Sequence, residues 1–290
     1  MQRDTSPAAM TPREPRLHLV NLVAFTASWV FATVFVAAVA IQSPWPSDAW
    51  VYWSAWHGPM YARASTGSGF VYPPVAALLF LPAVVLPWPL FAIVWISLLF
   101  VAGAWLMWPL PMRLRLPLFA SLAASLAWGN AATLLAVPLV LAPRWPVLWV
   151  AQAWVKVTPA VGVVALLAQH RWRQFATVVG AIGLVGIGLV LLAPAALGAW
   201  LNHLAAHSEV PGYWLAMLPW SPPLALRLVV AAAIAYLGAA RPWTLAIAAA
   251  VATPDLSLAT CGILAAIPRL AEQARPDAHC ESQEAAVSAG

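Results

Sequence analysis

The sequence predicts an all-α integral membrane protein, a polytopic bundle of about ten helices, several of them short or broken. Of its 290 residues, 63% are hydrophobic and only 8% are charged, and the mean hydropathy is +0.83. Apolar runs fill most of the chain between Leu19 and Ile267. A helix needs ~20 apolar residues to cross the ~30 Å hydrocarbon core of a bilayer, and this chain supplies such runs repeatedly.

The predicted elements are apolar runs that begin and end at proline, glycine or arginine residues. The first run is too long for a signal-peptide core and has no small-residue cleavage pattern after it, so we expect it to remain as an anchor. Several later runs are shorter than a full span, and such pieces persist at membrane depth only inside the protein or beside a wet cavity. The predicted runs are 19–41, 73–87, 88–108, 115–128, 130–142, 146–168, 174–193, 223–240, 242–253 and 256–268.

The arginines of the short loops set the predicted orientation. With ten spans, most arginines fall on one side, which the positive-inside rule assigns to the cytoplasm. This set comprises Arg3, Arg13, Arg16, Arg171, Arg173, Arg241, Arg269 and Arg275. Arg63, Arg113, Arg115 and Arg144 then fall outside, so the predicted bias is moderate.

This topology gives a multi-pass protein of the cell membrane with both termini in the cytoplasm. Residues 19–268 form one predicted transmembrane domain with outer loops at 42–72 and 194–222. The tails 1–18 and 269–290 have little apolar content, and we expect both to be disordered.

The charge pattern excludes several classes of function. The formal charge of +5 comes from scattered arginines with no dense basic stripe, which argues against a nucleic-acid partner and favours membrane lipids or a lipid phosphate. The sequence contains no P-loop, no dinucleotide-binding glycine pattern after a strand and no Ser or Cys triad pattern.

Asp48 follows the first predicted span, in a stretch where acidic residues are rare. Between His18 and Arg269 the chain has only two others, Glu209 and Asp255. A carboxylate at a membrane face costs free energy unless it is solvated or paired, which makes Asp48 a candidate general base. A carboxylate in the first turn of a short helix also stabilises that helix without any chemistry. Position alone leaves both interpretations open.

Lys156 is the only lysine in the chain. It lies about ten residues into the predicted span 146–168, and at ~1.5 Å per residue this is deep in the membrane. A charge there must face a partner or a wet cavity, and a lipid phosphate or Asp255 would serve. The alternative is a snorkelling side chain or an ion pair that only fixes packing. Pro159 permits a kink nearby.

Three further side chains are candidate phosphate ligands. Arg63 and His57 share the predicted outer loop of Asp48, and Arg227 begins a late span. For each arginine, an interface anchor that meets lipid headgroups is the more common explanation. Trp50, Trp53 and Trp56 recur every three residues in the same loop, a spacing typical of an aromatic belt on a helix along the outer face.

We expect no metal site and no cofactor. His203 and His207 lie four residues apart, so they share a helix face, but no third ligand follows in the His-Glu-x-x-His pattern. Asp255 follows Thr253-Pro254 and is positioned to cap the last short helix.

Three motifs carry a resemblance to a known family. Asp48 with Tyr52 is followed after a short loop by Phe70-Val71-Tyr72-Pro73-Pro74, and this combination is similar to the opening signature of glycosyltransferase family 87. Trp128-Gly129-Asn130 resembles its Gly-Gln-x-Asn element, with asparagine in place of the glutamine. Lys156-Val157-Thr158-Pro159 resembles its Lys-x-x-Pro element, and the order and spacing agree over residues 48–173.

The resemblance implies a GT-C-like enzyme that takes a sugar, mannose or arabinofuranose, from a polyprenyl-phosphate donor. It transfers the sugar with inversion to a lipid or glycan acceptor at the outer membrane face. Asp48 would remove the proton of the acceptor hydroxyl. The predicted substrate-binding residues combine the motif positions Tyr52, Tyr72, Asn130 and Lys156 with Arg63, Arg227 and His57.

Two other functions remain compatible with the sequence. A transporter or flippase of lipid-linked sugars would line a central path with broken helices and Lys156. An inactive, shortened relative would keep only an interaction role. An enzyme predicts a cavity open to the outer face that holds Asp48 and a cationic residue within roughly 10 Å of each other.

Overall fold

A computed structural model of the chain describes residues 47–61, 69–111, 114–115, 118, 122–156, 158–207, 222–253 and 259–274, with the isolated positions 23, 26–27 and 30. The isolated positions are helical and fall within the predicted first span. Most of that span and of both predicted tails lies outside the described residues, as do Arg63, Arg113, Glu209 and Asp255.

Helices and short 3₁₀ segments account for the regular structure of the described residues. The α-helices are α1 Ser47–Ser54, α2 Pro82–Val85, α3 Trp88–Met107, α4 Ala123–Trp128, α5 Ala132–Leu141, α6 Leu148–Val155, α7 Val163–Ala168, α8 Trp172–Leu192, α9 Pro194–His207, α10 Leu224–Leu237, α11 Thr244–Ala252 and α12 Ile267–Gln273. The 3₁₀ segments are η1 Pro74–Phe80, η2 Thr158–Gly162 and η3 Thr260–Ala266. The predicted all-α class is confirmed for this part of the chain.

Within the described residues, α3 and α8 are long and apolar enough to cross a membrane, and α5 and α10 are shorter apolar helices. The prediction of ten spans is not confirmed. Two of the predicted runs, 73–87 and 146–168, turn back inside the bundle, and their contacts show where they begin and end.

The predicted run 73–87 returns to the end of the bundle from which it starts. It forms two short segments, η1 and α2, and the Trp53 indole donates to Leu86 O at 2.9 Å. The ring of Trp88, the next residue but one, meets Trp50 edge-on at 4.9 Å between centroids. Repeated prolines explain the break, because each lacks the N–H of a helical hydrogen bond and clashes with the preceding turn.

The predicted span 146–168 is a helical hairpin. Helix α6 ends at Val155, and Lys156 has extended backbone with φ −148° and ψ 98°. Segments η2 and α7 then run back, and Gly162 lies so close to the Trp149 ring that a Cβ at this position would clash with the indole. Pro159 has no N–H for the carbonyl of Val155, which explains why α6 does not continue.

Both open ends of this hairpin meet in one place. Arg171, just after α7, donates from Nη1 to the carbonyl of Pro143 at 3.1 Å, just before α6. Its backbone N–H donates to Leu166 O. The hairpin is therefore re-entrant, and Lys156 lies at its tip.

Helix α12 lies across the ends of α3 and α5. Arg269 Nε donates to Trp105 O at 2.9 Å, and Gln273 Nε2 donates to Val140 O at 3.2 Å. Helix α12 thus continues to Gln273, beyond residue 268, the predicted end of the transmembrane domain.

Further loops meet at the same end of the bundle, which we call the arginine end. Gln169, beside Arg171, donates to Ala239 O at 2.9 Å, just after α10. Arg115 stacks on Trp108 with Cζ 4.5 Å from the ring centroid. Since α3, α5, α7 and α10 all finish here, the loops with Arg115, Arg144, Arg171, Arg241 and Arg269 lie together.

This arrangement corrects the predicted topology. Arg115 and Arg144 were predicted opposite Arg171 and Arg269, and the contacts place all four at the arginine end. The physical reason is the number of crossings. Because 73–87 turns back, every loop between it and 146–168 lies on the side opposite to the predicted one, and because 146–168 also turns back, the later loops return to their predicted side. Among the residues that the structure describes, the loop arginines are consequently more strongly segregated than the ten-span interpretation allowed.

The opposite end, which we call the Asp48 end, carries α1, η1, α2 and the start of α5. Helix α9, in the first half of the predicted outer loop 194–222, also lies here, because the Trp200 indole donates to Val71 O at 3.2 Å. An aromatic cluster is buried at this end, with Tyr52, Phe70, Phe80, Phe91 and Trp95 among its members. A second buried cluster, rich in alanine from α11, fills the rest of the bundle, and such small residues let membrane helices pack closely.

Candidate active site

Asp48 and Asn130 are hydrogen-bonded across 82 positions of sequence. The Nδ2 of Asn130 donates to Oδ2 of Asp48 at 2.7 Å. Asp48 is half-buried in the first turn of α1, and Asn130 is only 5% exposed in the linker between α4 and α5. A carboxylate that accepts an amide hydrogen bond in this setting is held in a fixed orientation, with its charge stabilised.

The local chain fixes the direction of the Asn130 amide. Helix α4 ends at Gly129 in the left-handed conformation, with φ 69°, which lets the Asn130 N–H donate to Ser125 O at 2.8 Å. The Asn130 Oδ1 accepts the backbone N–H of Ala132 at 2.9 Å at the start of α5. With its oxygen engaged by a donor, the carboxamide must present its NH₂ group to Asp48.

Tyr52 lies one helical turn after Asp48 on the same face of α1. Its hydroxyl accepts the Ala131 N–H at 3.2 Å and lies 3.2 Å from the Tyr72 hydroxyl. Its ring is buried and stacks on Phe80 at 4.1 Å. The structure therefore brings together four predicted site residues, Asp48, Tyr52, Tyr72 and Asn130.

Burial raises the pKa of Tyr52 well above its usual value, and the nearby Tyr72 and Asp48 raise it further. Each of these effects disfavours the phenolate, the first by removing water and the others by adding negative charge nearby. Tyr52 therefore stays a neutral phenol beside Asp48 and offers a hydroxyl, not a second base.

Lys156 is 8% exposed at the tip of the re-entrant hairpin. The preceding residue, Val155, belongs to the same buried cluster as Tyr52, Ala131 and Leu135, so the tip adjoins the aromatic cluster of the Asp48 end. Lys156 is thus buried at a break in the helix, and its depth in the membrane stays a prediction.

Gln152 is a polar residue that the sequence interpretation missed. It is fully buried one turn before Lys156, and its Nε2 donates to Leu135 O at 3.0 Å, which ties α6 to α5. Ser125 and Thr133 form a second buried pair, with their hydroxyls 2.8 Å apart. Each is an isolated polar side chain in an apolar run, and that isolation is the signal that could have found it.

Trp53 in α1 and Trp56 just after it hold this helix in place through their indole nitrogens. Trp53 donates to Leu86 O, and Trp56 donates to Ala77 O at 3.1 Å. The exposed His57 stacks on the Trp53 ring at 3.9 Å, with its Nδ1 3.0 Å from Trp53 O. The described contacts of His57 are thus with α1 itself and do not include Asp48 or Asn130.

Arg227 is buried between α10 and α11. It is 5% exposed, and its Nη1 donates to the carbonyl of Thr253 at 2.7 Å, where α11 ends. The interpretation of Arg227 as an anchor that reaches lipid headgroups is wrong, because the guanidinium points into the bundle and binds a carbonyl at a helix C-terminus.

Helix α9 contributes His203 to the Asp48 end of the bundle. Its ring lies parallel to Tyr61 at 6.2 Å, and the Tyr61 hydroxyl donates to Tyr72 O at 2.9 Å. Burial raises the pKa of Tyr61, which keeps that hydroxyl a donor. The side chain of His207 is outside the described residues.

Comparison with known proteins identifies one family. The model of glycosyltransferase family 87 matches residues 70–282, most of the chain. No curated protein and no solved structure matches. The matched range includes Tyr72, Asn130 and Lys156 and begins after Asp48, so the hydrogen bond from Asn130 is what joins Asp48 to the matched region.

Proposed function

The chain belongs to glycosyltransferase family 87, a family of membrane glycosyltransferases, and we propose that it transfers mannose or arabinofuranose from a polyprenyl-phosphate donor to a lipid or glycan acceptor. Transfer takes place at the Asp48 end of the bundle, with inversion at the anomeric carbon. Asp48 is the general base.

The hydrogen bond between Asn130 and Asp48 carries this proposal. It brings the one carboxylate described at this end of the bundle to a motif inside the matched region, at 2.7 Å. A carboxylate oriented by an amide is suited to receive a proton along a defined direction. Asp48 is only half-buried, which leaves its carboxylate accessible to an acceptor.

The proposed step is a single displacement. The acceptor hydroxyl loses its proton to Asp48 while its oxygen bonds to the anomeric carbon of the donor. The bond between that carbon and the phosphate oxygen breaks, and polyprenyl phosphate departs with the electron pair. The proton remains on Asp48 until it is released to water.

Lys156 is proposed to stabilise the departing phosphate. Charge develops on the leaving oxygen, and a cation fixed in a dry site acts on it far more strongly than one in water. Its burial at the hairpin tip, adjoining the aromatic cluster, supports this role. Tyr52 and Tyr72, whose hydroxyls lie 3.2 Å apart, are proposed to supply hydroxyl groups for the sugar.

The segregation of arginines supports an orientation for this reaction. The arginine end is proposed to face the cytoplasm, since basic loops are retained there. The Asp48 end then faces outward, in the outer leaflet of the cell membrane. A polyprenyl donor is anchored in the lipid, so its phosphate is held at the depth of this end.

Sugar transfer by the purified protein tests the function. Wild type, Asp48→Asn and the control Glu272→Gln are compared with polyprenyl-phosphate mannose and polyprenyl-phosphate arabinofuranose as donors. Glu272 is an exposed carboxylate at the arginine end, so its loss leaves turnover unchanged. Asp48→Asn lowers turnover about 100-fold or more, the contribution usual for a general base.

Two outcomes would contradict the proposal. Equal turnover by Asp48→Asn and wild type would remove Asp48 as the base. No transfer by wild type from either donor would reject the proposed donors and favour a transporter of lipid-linked sugars.

A further inference from the structure

We propose that the arginine end of α3 binds the phosphate of an anionic phospholipid, between Arg115 and Arg269 above Trp108 and Trp105. This site is at the opposite end of the bundle from Asp48, so it can be tested independently of the proposed catalysis.

Two arginines from distant parts of the chain converge on neighbouring tryptophans. Arg269 lies with Cζ 4.6 Å from the ring centroid of Trp105, and Arg115 lies 4.5 Å from that of Trp108. Positions three apart on a helix are neighbours, with ~5–6 Å between their Cβ atoms. The two guanidinium groups therefore stack on rings that leave the chain about one turn apart at the end of α3.

Backbone carbonyls fix how each guanidinium points. Arg269 Nε donates to Trp105 O, and Arg115 Nε donates to Leu110 O. Each guanidinium has five N–H donors in a planar fork, and this bond uses the inner one. When its Nε is bound to a carbonyl, a guanidinium keeps its Nη groups as further donors, and such donors suit the oxygens of a phosphate.

Glu272 offsets part of this charge without closing the site. Its carboxylate lies 3.4 Å from Arg269 Nη1, and it is 52% exposed. An exposed ion pair of this kind contributes little free energy, so a phosphate competes for the same donor. The group of Arg115, Arg269 and Glu272 keeps a net positive charge.

The surface of α3 below the arginines indicates a lipid and not free phosphate. Trp108 is 62% exposed, and Val101 and Ile93 on the same helix are each 63% exposed. A helix that could span a membrane and exposes such side chains faces acyl chains along its length. A ligand with phosphate at the helix end and apolar chains along α3 matches both parts of this surface, as in basic pockets for anionic headgroups.

The test compares two double variants that remove equal charge from the arginine end. Arg115→Gln with Arg269→Gln removes the proposed site, and Arg173→Gln with Arg241→Gln removes two exposed arginines nearby. Native mass spectrometry of delipidated protein titrated with phosphatidylglycerol gives the affinity. The first pair weakens binding about thirtyfold, from the usual contribution of two arginines, and the second pair about threefold or less.

Equal losses in the two double variants would overturn the site and leave only general surface charge. Inorganic phosphate at the same concentration binds at least tenfold more weakly than the lipid, and equal binding of the two would overturn the choice of lipid. If the first double variant fails to fold, judged by gel filtration, the single variants carry the test, each weakening binding about fivefold.

Discussion

The carboxamide of Asn130 is held at both ends, with Oδ1 accepting the Ala132 N–H at 2.9 Å and Nδ2 donating to Asp48 Oδ2 at 2.7 Å. One side chain thus starts a helix and orients the proposed base. These two roles use different atoms, so substitutions can separate them.

Asn130→Ser retains a side-chain oxygen that can accept the Ala132 N–H and removes the amide that reaches Asp48. We expect its melting temperature to stay near that of wild type, while turnover falls about tenfold with loss of a hydrogen bond to a charged group. Asn130→Ala loses the acceptor of the Ala132 N–H as well and unfolds with about 1 kcal/mol less stability. Kinetic assays and thermal unfolding of both variants check this. A Ser variant with full turnover would show that Asn130 does not position Asp48.

Tyr52→Phe removes the buried hydroxyl that accepts the Ala131 N–H. A buried donor without its acceptor costs about 1–3 kcal/mol, so we expect unfolding to become easier by that amount. Tyr236→Phe removes a hydroxyl from an exposed position of α10 and should be neutral. Chemical unfolding in detergent measures both. If Tyr52→Phe were as stable as wild type, the hydrogen bond between α1 and the start of α5 would add no stability.

The raised pKa of Tyr52 also predicts how stability depends on pH. Folding favours the neutral phenol, so the stabilising effect is complete below the unfolded pKa of 10.0 and is lost as pH rises from there toward the higher folded pKa. Melting temperatures of wild type should fall above about pH 10, and those of Tyr52→Phe should fall less steeply. Parallel curves for the two proteins would contradict the assignment to Tyr52.

The sequence predicted the proposed site better than the path of the chain. Asp48, Tyr52, Tyr72 and Asn130 were identified by motif, and the structure brings these four together. Motif residues that are far apart in sequence are expected to meet in the fold, because one site requires all of them to be close together. The burial of Arg227 could not be anticipated, because an arginine near a helix start is compatible with either lipid headgroups or a neighbouring helix.

The crossings were harder to predict for a physical reason. A hairpin buried in the bundle needs apolar residues on every side, as a span does, so 146–168 has the composition of either. The discriminating signals were local. Pro159 interrupts one run, and closely spaced prolines interrupt 73–87. In both runs the prolines end a helix, where a kink within a continuous helix was the other interpretation.

Gly162→Ala tests the hairpin directly. The new Cβ would meet the Trp149 ring, which is itself fully buried, so we expect destabilisation of about 1–3 kcal/mol. Gly183→Ala is the matched control, because a Cβ there meets nothing within 4 Å and alanine favours the helix. Combining Gly162→Ala with Trp149→Leu should recover part of the loss by making room. Thermal unfolding that ranks the two glycine variants alike would argue against antiparallel arms.

The sides of the loops can be tested by labelling single cysteines in a background without Cys261 and Cys280. Arg115→Cys, Arg144→Cys and Arg241→Cys should react with an impermeant maleimide from one side of sealed vesicles, because their loops share the arginine end. His57→Cys, exposed at the Asp48 end, should react from the other side. The ten-span interpretation predicts instead that positions 115 and 144 label with position 57. Positions 115 and 144 both lie between the two turning segments, so their side depends on 73–87 alone. Labelling of these positions from the side of position 57 would require 73–87 to cross the membrane.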